Sequence, residues 1–232
     1  LLAYPIKAFY YNCLPAIDFS IYQQAIIKIA DGQDWNPFIT TRNLKIFNDH
    51  FNPILYVVAL WTKIFGNTVI SLVAFEWFNL ILTLIFIYFV SRKKRLNEIL
   101  ILILLLLLSR PVVGSFTDPI HPNSWAILPL FTLTYFFITN STLGIALSAL
   151  ALMIYKEVFG FGIFALSLFL LTRKEFKKGL ILLLISITDL FIIYYLWPKL
   201  VGPVYPYSQE VIHALKTAPL AWLITVSQKI SY

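Results

Sequence analysis

The sequence predicts an all-α, polytopic integral membrane bundle with a structured loop on one side of the membrane. Three observations carry this. Of the 232 residues, 59% are hydrophobic and 12% charged, with a mean hydropathy of +0.81, whereas soluble domains average about 45–50% apolar and about 25% charged. The apolar residues come in long blocks. Eight of the 18 basic residues fall into two clusters that flank such blocks, Arg92, Lys93, Lys94, Arg95 and then Arg173, Lys174, Lys177, Lys178. A chain this apolar cannot cover itself with polar surface in water, which excludes a cytosolic enzyme, a disordered chain and a nucleic-acid-binding domain. The net charge of +7 belongs to topology: both clusters read as cytoplasmic loops under the positive-inside rule. A nucleic-acid surface would instead spread Lys and Arg along one polar face among exposed aromatics.

The elements follow in order. Residues 1–68 are expected to hold the end of a first span and then an extracytoplasmic loop. Within it, residues 18–52 are polar and carry four of the 11 acids. Ile21-Tyr22, Ala25-Ile26 and Ile29 recur at helical spacing, which predicts an amphipathic helix over 20–30. Asp18 or Ser20 would cap it, and Asp31-Gly32 would end it. The run 53–65 begins at Pro53, carries Lys63 and is too short to cross, so it reads as an amphipathic helix on the outer interface. Crossing a bilayer core of roughly 30 Å takes about 20 apolar residues. Residues 69–198 supply six candidate spans: 69–90, 96–115, 124–139, 142–156, 158–171 and 180–198. Four of these lie between the basic clusters, and an even number of crossings leaves both clusters, 91–95 and 172–179, in the cytoplasm. Residues 199–232 then return to the outer face. A chain opening at Leu1-Leu2-Ala3 and stopping at Tyr232 is expected to be a piece of a longer membrane protein, lacking its first span and its C-terminal part.

Long structured loops on one side of a bundle usually have a function, so the polar residues there are the candidates. Asp18 is either a helix cap or a carboxylate that deprotonates an acceptor hydroxyl or amine. Asn48-Asp49-His50-Phe51-Asn52-Pro53 is the densest polar cluster, where Asp49 could tune His50 or help bind a metal, or where the chain simply turns in solvent. Asp118 and His121 sit in a short loop stiffened by Pro119 and Pro122. Lys156-Glu157 places two charges between apolar runs, where charges usually face a cavity or a partner; neighbours on a helix point about 100° apart, so they do not pair with each other. The alternative is a hairpin tip. Glu76 and Asn79, three residues apart, could hydrogen-bond to each other, and Asp189 reads as structural too. Cys13 is alone, and His50, His121 and His213 lack metal-ligand spacing, so no metal site is assigned. No phosphate-binding loop, dinucleotide fingerprint or hydrolase triad pattern appears. The sequon-like Asn140-Ser141-Thr142 falls in an expected cytoplasmic turn.

Four stretches together resemble one family. Asp18-Phe19 followed by Ile21-Tyr22-Gln23-Gln24-Ala25 is similar to its amino-terminal motif. Asp49-His50-Phe51-Asn52-Pro53-Ile54-Leu55 resembles its Asp-His-Phe-Ser-Pro-Ile-Leu segment, Ile120-His121-Pro122 its Phe-His-Pro, and Tyr155-Lys156-Glu157 its Lys-Glu-Asp. These belong to the bacterial and archaeal predicted membrane proteins called domain of unknown function 2079, and the resemblance covers residues 16 to about 206. Two positions depart from the pattern: Val158 replaces an Asp and Asn123 a Glu. The family in turn resembles the GT-C superfamily of glycosyltransferases, which use polyprenyl-phosphate-linked sugars.

That resemblance implies a GT-C-like bundle in the plasma membrane of a prokaryote, with Asp18 as catalytic base and Asp49 and His50 beside it. Gln24, Arg42, Asp118, His121, Lys156 and Glu157 would bind substrate in one outer-face cavity, with Lys156 or Arg42 meeting the lipid phosphate. The implied partners are membrane lipids, the polyprenyl-phosphate sugar donor and an acceptor whose chemistry the motifs leave open, as they do any divalent metal. The rival reading is a transporter or lipid flippase with Lys156 and Glu157 as its intramembrane coupling pair. Geometry separates the two, because a coupling pair belongs in a mid-membrane cavity away from the outer loop. A purely structural anchor would scatter the polar residues.

Overall fold

The computed structural model of the chain describes residues 16–66, 69–92 and 121–202. Helices dominate: α1 (Ala16–Ala30), α2 (Ile46–Asp49), α3 (Ile54–Phe65), α4 (Val69–Ser91), α5 (Pro122–Trp125), α6 (Ile127–Ile138), α7 (Thr142–Met153), α8 (Glu157–Thr172) and α9 (Phe176–Phe191). The last continues through a wider π-turn, Ile192–Leu196, into α10 (Trp197–Val201). Between α1 and α2 the loop departs from the all-helical expectation. Strands β1 (Phe38–Ile39) and β2 (Leu44–Lys45) form an antiparallel ribbon, pairing Phe38 with Lys45 and Ile39 with Leu44. Asn43, at φ +54°, turns it in the left-handed region that Asn tolerates.

The first helix is longer than the 20–30 expected. It contains both proposed caps, Asp18 and Ser20, so neither lies ahead of it. It ends as the sequence reads: Gly32, at φ +69°, lets the backbone of Gly32 and Gln33 donate to Ile29 and Lys28 (both 3.0 Å), a glycine-dependent terminus. The helix packs on α3. With the ribbon and α2 they build a core of Ile26, Ile39, Ile46, Phe47 and Leu55, each at most 1% exposed. Burying each such side chain stabilises by about 1.5–3 kcal/mol. Helix α3 is apolar on its other side as well, where Val57, Leu60, Ile64 and Phe65 are exposed.

Among the described residues, two helices are long and apolar enough to cross a membrane, Val69–Ser91 and the continuous Phe176–Val201; they occupy the expected spans 69–90 and 180–198. The expected span 96–115 lies outside the described residues. Of the remaining apolar helices, α6 and α7 are shorter than the runs that predicted them, and α8 extends its run by one residue at each end. At 1.5 Å per residue, 12 residues reach about 18 Å and 16 about 24 Å. The run 124–139 is broken at Ala126 because Pro129 has no N–H to give the Trp125 carbonyl; the backbone of Ala126 donates to Asn123 instead (3.4 Å). The run 142–156 stops at Met153, and Ile154–Lys156 turn away.

The helices run between two ends. At one, the loop is tied to the bundle. The Ile54 N–H donates to the Ile154 carbonyl (2.8 Å), Trp197 Nε1 to the Phe47 carbonyl (3.0 Å) and Asn48 Nδ2 to the Val201 carbonyl (3.1 Å). At the other end, Phe86 of α4 meets Tyr135 of α6 at 5.3 Å between ring centroids. There Lys178 donates to Asn140 and to Glu175. The second basic cluster and the Asn140 turn therefore share the end opposite the loop.

Candidate functional site

The site is assembled where α2 gives way to α3. His50 ends α2 in extended conformation, φ −141° and ψ 149°, and its backbone N–H closes the helix on Ile46 (3.3 Å). That turn carries its imidazole out of the loop toward the bundle. His50 Nδ1 lies 2.8 Å from Glu157 Oε1, the first residue of α8. An ionised carboxylate only accepts, so Nδ1 holds the proton of this bond. On its other side Nε2 faces Asp49 Oδ1 at 3.9 Å, and Asp49 Oδ2 lies 3.6 Å from Arg42 Nε. Arg42, Asp49, His50 and Glu157 thus form one polar chain, in which basic and acidic side chains alternate, from the ribbon to the first turn of α8.

Burial shapes that chain. Asp49 is buried, which a charge tolerates only with partners. Glu157 sits ahead of the 158–171 run. Burial opposes its charge, but the His50 hydrogen bond and charge, its own backbone N–H and the neighbouring Lys156 outweigh burial and hold its carboxyl below the usual value. Its position at a helix N-terminus favours the same ionised form.

The other expected site residues are placed as follows. Gln24 binds the ribbon: its Oε1 accepts from the Thr40 N–H (3.0 Å) and its Nε2 donates to Thr40 Oγ1 (3.2 Å). His121 caps α5, with Nδ1 accepting from the Asn123 N–H (3.2 Å), and its ring meets Tyr22 of α1 edge-on at 5.4 Å. Lys156 occupies the N-cap position of α8, half-buried; its carbonyl accepts from the Phe159 N–H (3.1 Å), and its side chain makes no hydrogen bond or ion pair among the described residues. Asp18 lies on α1 one turn before Tyr22; the described side chains begin after it. Asp118 lies outside the described residues. Arg42, Asp49, His50 and Glu157 are brought together, His121 is set against α1, and Gln24 holds the ribbon.

Several residues that shape the site were not singled out from sequence. Asn36, 1% exposed, accepts from the Phe47 N–H at 2.9 Å and donates to Asn48 Oδ1 at 3.1 Å, which fixes α2 ahead of His50. Its clue was the Asp34-Trp35-Asn36 turn, where Asp34 Oδ1 accepts from the Asn36 N–H (3.0 Å). Asn52, fully buried, has its amide nitrogen 3.1 Å from the Tyr155 carbonyl in the orientation its neighbours require. Glu76 and Asn79 do not bond to each other as expected: Glu76 Oε1 accepts from Ser124 (2.9 Å) and Asn79 Nδ2 donates to the Phe75 carbonyl (2.9 Å). Among the described residues no group of three or more His, Cys, Asp or Glu is disposed to hold a metal.

Residues 10–215 match the model of a family described as "Predicted membrane protein (DUF2079)". No curated protein and no solved structure matches the chain.

Proposed function

The chain belongs to the predicted membrane protein family DUF2079, and we propose that it serves in sugar transfer as a GT-C-like glycosyltransferase. In this reading a sugar passes from a polyprenyl-phosphate donor to an acceptor at the outer face of a prokaryotic plasma membrane. The observation that supports it best is the 2.8 Å contact between His50 and Glu157. A transporter's coupling acid works from a mid-membrane cavity, whereas this acid is engaged by the loop, at the loop end of the bundle. A reaction at the membrane surface needs its polar groups there.

The chemistry is a single inverting displacement. Asp18 takes the proton from the acceptor hydroxyl as its oxygen attacks the anomeric carbon. The bond from that carbon to the phosphate oxygen breaks, and polyprenyl phosphate leaves with the electron pair. Lys156, with no ion pair among the described residues, and Arg42 supply positive charge to the phosphate. Asp49, His50 and Glu157 fix the loop against the bundle; Gln24, Asp118 and His121 are assigned to substrate binding. Placing the Lys178–Asn140 end, with residues 91–95 and 172–179, in the cytoplasm agrees with the positive-inside rule and leaves the loop outside.

The test is a comparison of glycolipids and glycoproteins by mass spectrometry in a deletion strain. One glycosylated product should vanish, return with the full-length wild-type gene and stay absent with Asp18→Asn. Identical products with and without the gene contradict the proposal.

A further inference from the structure

Asp189 is a buried acid that the reaction above does not use. It lies on α9 within the helix Phe176–Val201 and is 5% exposed. Its Oδ2 has no hydrogen-bond partner among the described residues, and the same holds for Glu157 Oε2. The neighbouring helix makes room for this carboxyl: a methyl group on Gly160 of α8 would stand 2.4 Å from Asp189 Oδ2. Gly160 is three residues after Glu157, on the same face of α8, and Asp189 is within electrostatic reach of Glu157. Two ionised acids here would leave both oxygens as buried acceptors without donors, an arrangement that costs several kcal/mol. One proton resolves it, because a protonated carboxyl donates and an ionised one accepts.

We propose that Asp189 and Glu157 form a one-proton binding site between α8 and α9, with the proton carried on Asp189 Oδ2 and directed at Glu157 Oε2, directly or through one water. Glu157 is the ionised member because His50 already donates to its other oxygen. The proton reaches the site from the loop end. It passes from His50 Nδ1 to Glu157, leaving neutral imidazole, and then to Asp189, restoring the Glu157 carboxylate. Among the described residues, the titratable groups around the site are Lys156 beside Glu157, His50 from the loop, and Tyr194 of the π-turn, which lies within electrostatic reach of both acids. Helix α7, which also packs on α9, contributes no titratable residue. The site thereby links protonation inside the bundle to the loop contact at His50, and it stands whether or not the chain serves sugar transfer.

Infrared spectroscopy of the full-length protein in lipid nanodiscs, in H2O and D2O at neutral pH, tests this. A protonated-carboxyl C=O band that shifts on deuteration is expected; it should disappear in Asp189→Asn and persist at a changed frequency in Glu157→Gln. Should Asp189→Asn fail to fold, Gly160→Ala with native helix content should shift or abolish the same band. An unchanged band in whichever of these variants folds overturns the proposal. So does a band removed by exchanging choline chloride for sodium chloride at fixed pH, which would assign the site to a metal cation.

Discussion

Replacing His50 with Ala removes the hydrogen bond that joins the Asp49 segment to α8. The bond is charge-assisted at 2.8 Å, and its side chains are only 24% and 21% exposed, so solvent does little to replace it. Hydrogen bonds to charged groups contribute about 1.5–3 kcal/mol, and the loss here also leaves the Glu157 carboxylate with only its own backbone N–H as a donor. We expect His50→Ala to cost roughly 2 kcal/mol and Glu157→Gln roughly 1 kcal/mol, since the amide still accepts. The double variant should be milder than the sum, with a coupling of about 1–2 kcal/mol. Reversible unfolding by SDS in mixed micelles, followed by circular dichroism, measures all four corners of the cycle. The pH dependence has a definite sign. The Glu157 carboxyl lies below its ordinary value of 4.5, so its ionised form stabilises the fold fully above that value. That contribution is lost as pH falls through the lower folded one. The difference between wild type and Glu157→Gln should therefore hold at pH 5 and close only in stronger acid. Single variants that add to within about 0.5 kcal/mol would show the two residues to be uncoupled and refute the reasoning.

Asn36→Ala should cost about 1–3 kcal/mol by leaving the buried Phe47 N–H unpaired, read as a lowered thermal midpoint in detergent. Gly144→Ala places a methyl 2.2 Å from the Phe136 ring and should cost about 1–3 kcal/mol through overpacking of α6 against α7, read in the same way. In a Cys13→Ser background, an impermeant maleimide should label Trp35→Cys in intact cells and Lys177→Cys only after lysis. Both native positions are exposed, so labelling of both from outside would reverse or abolish the proposed orientation.

Local signals wrote part of this fold into the sequence. Pro53 opens α3 as read, while Gly66, at φ +100°, ends it without having been singled out, and the apolar length of 69–90 gave α4 to within a residue or two. The break at Ala126 was equally local, since the missing N–H of Pro129 was in view, but hydropathy alone runs across it. Glu76 and Asn79 misled for a related reason. Their spacing allowed a mutual bond, but Asn79 satisfied itself on the carbonyl four residues back and Glu76 found Ser124. The site was legible as residues and not as contacts. Glu157 and His50 are 107 positions apart, and their meeting depends on how α3 docks, fixed in part by the bond from Ile54 to Ile154. Asp189 read only as structural because its relevant neighbour, Gly160, is 29 positions away and has no side chain to signal it.

The central claim is sugar transfer with Asp18 as base, and one measurement bears on it most directly. Membranes containing the full-length protein, given radiolabelled polyprenyl-phosphate sugars and an outer-face glycan extract, are assayed for labelled product with wild type and with Asp18→Asn at equal expression. Removing a general base typically costs about 10²–10⁴-fold, so transfer by the variant should fall by at least about a hundredfold. Transfer at the wild-type rate by Asp18→Asn, or no transfer by the wild type from any polyprenyl-phosphate donor, would contradict the account.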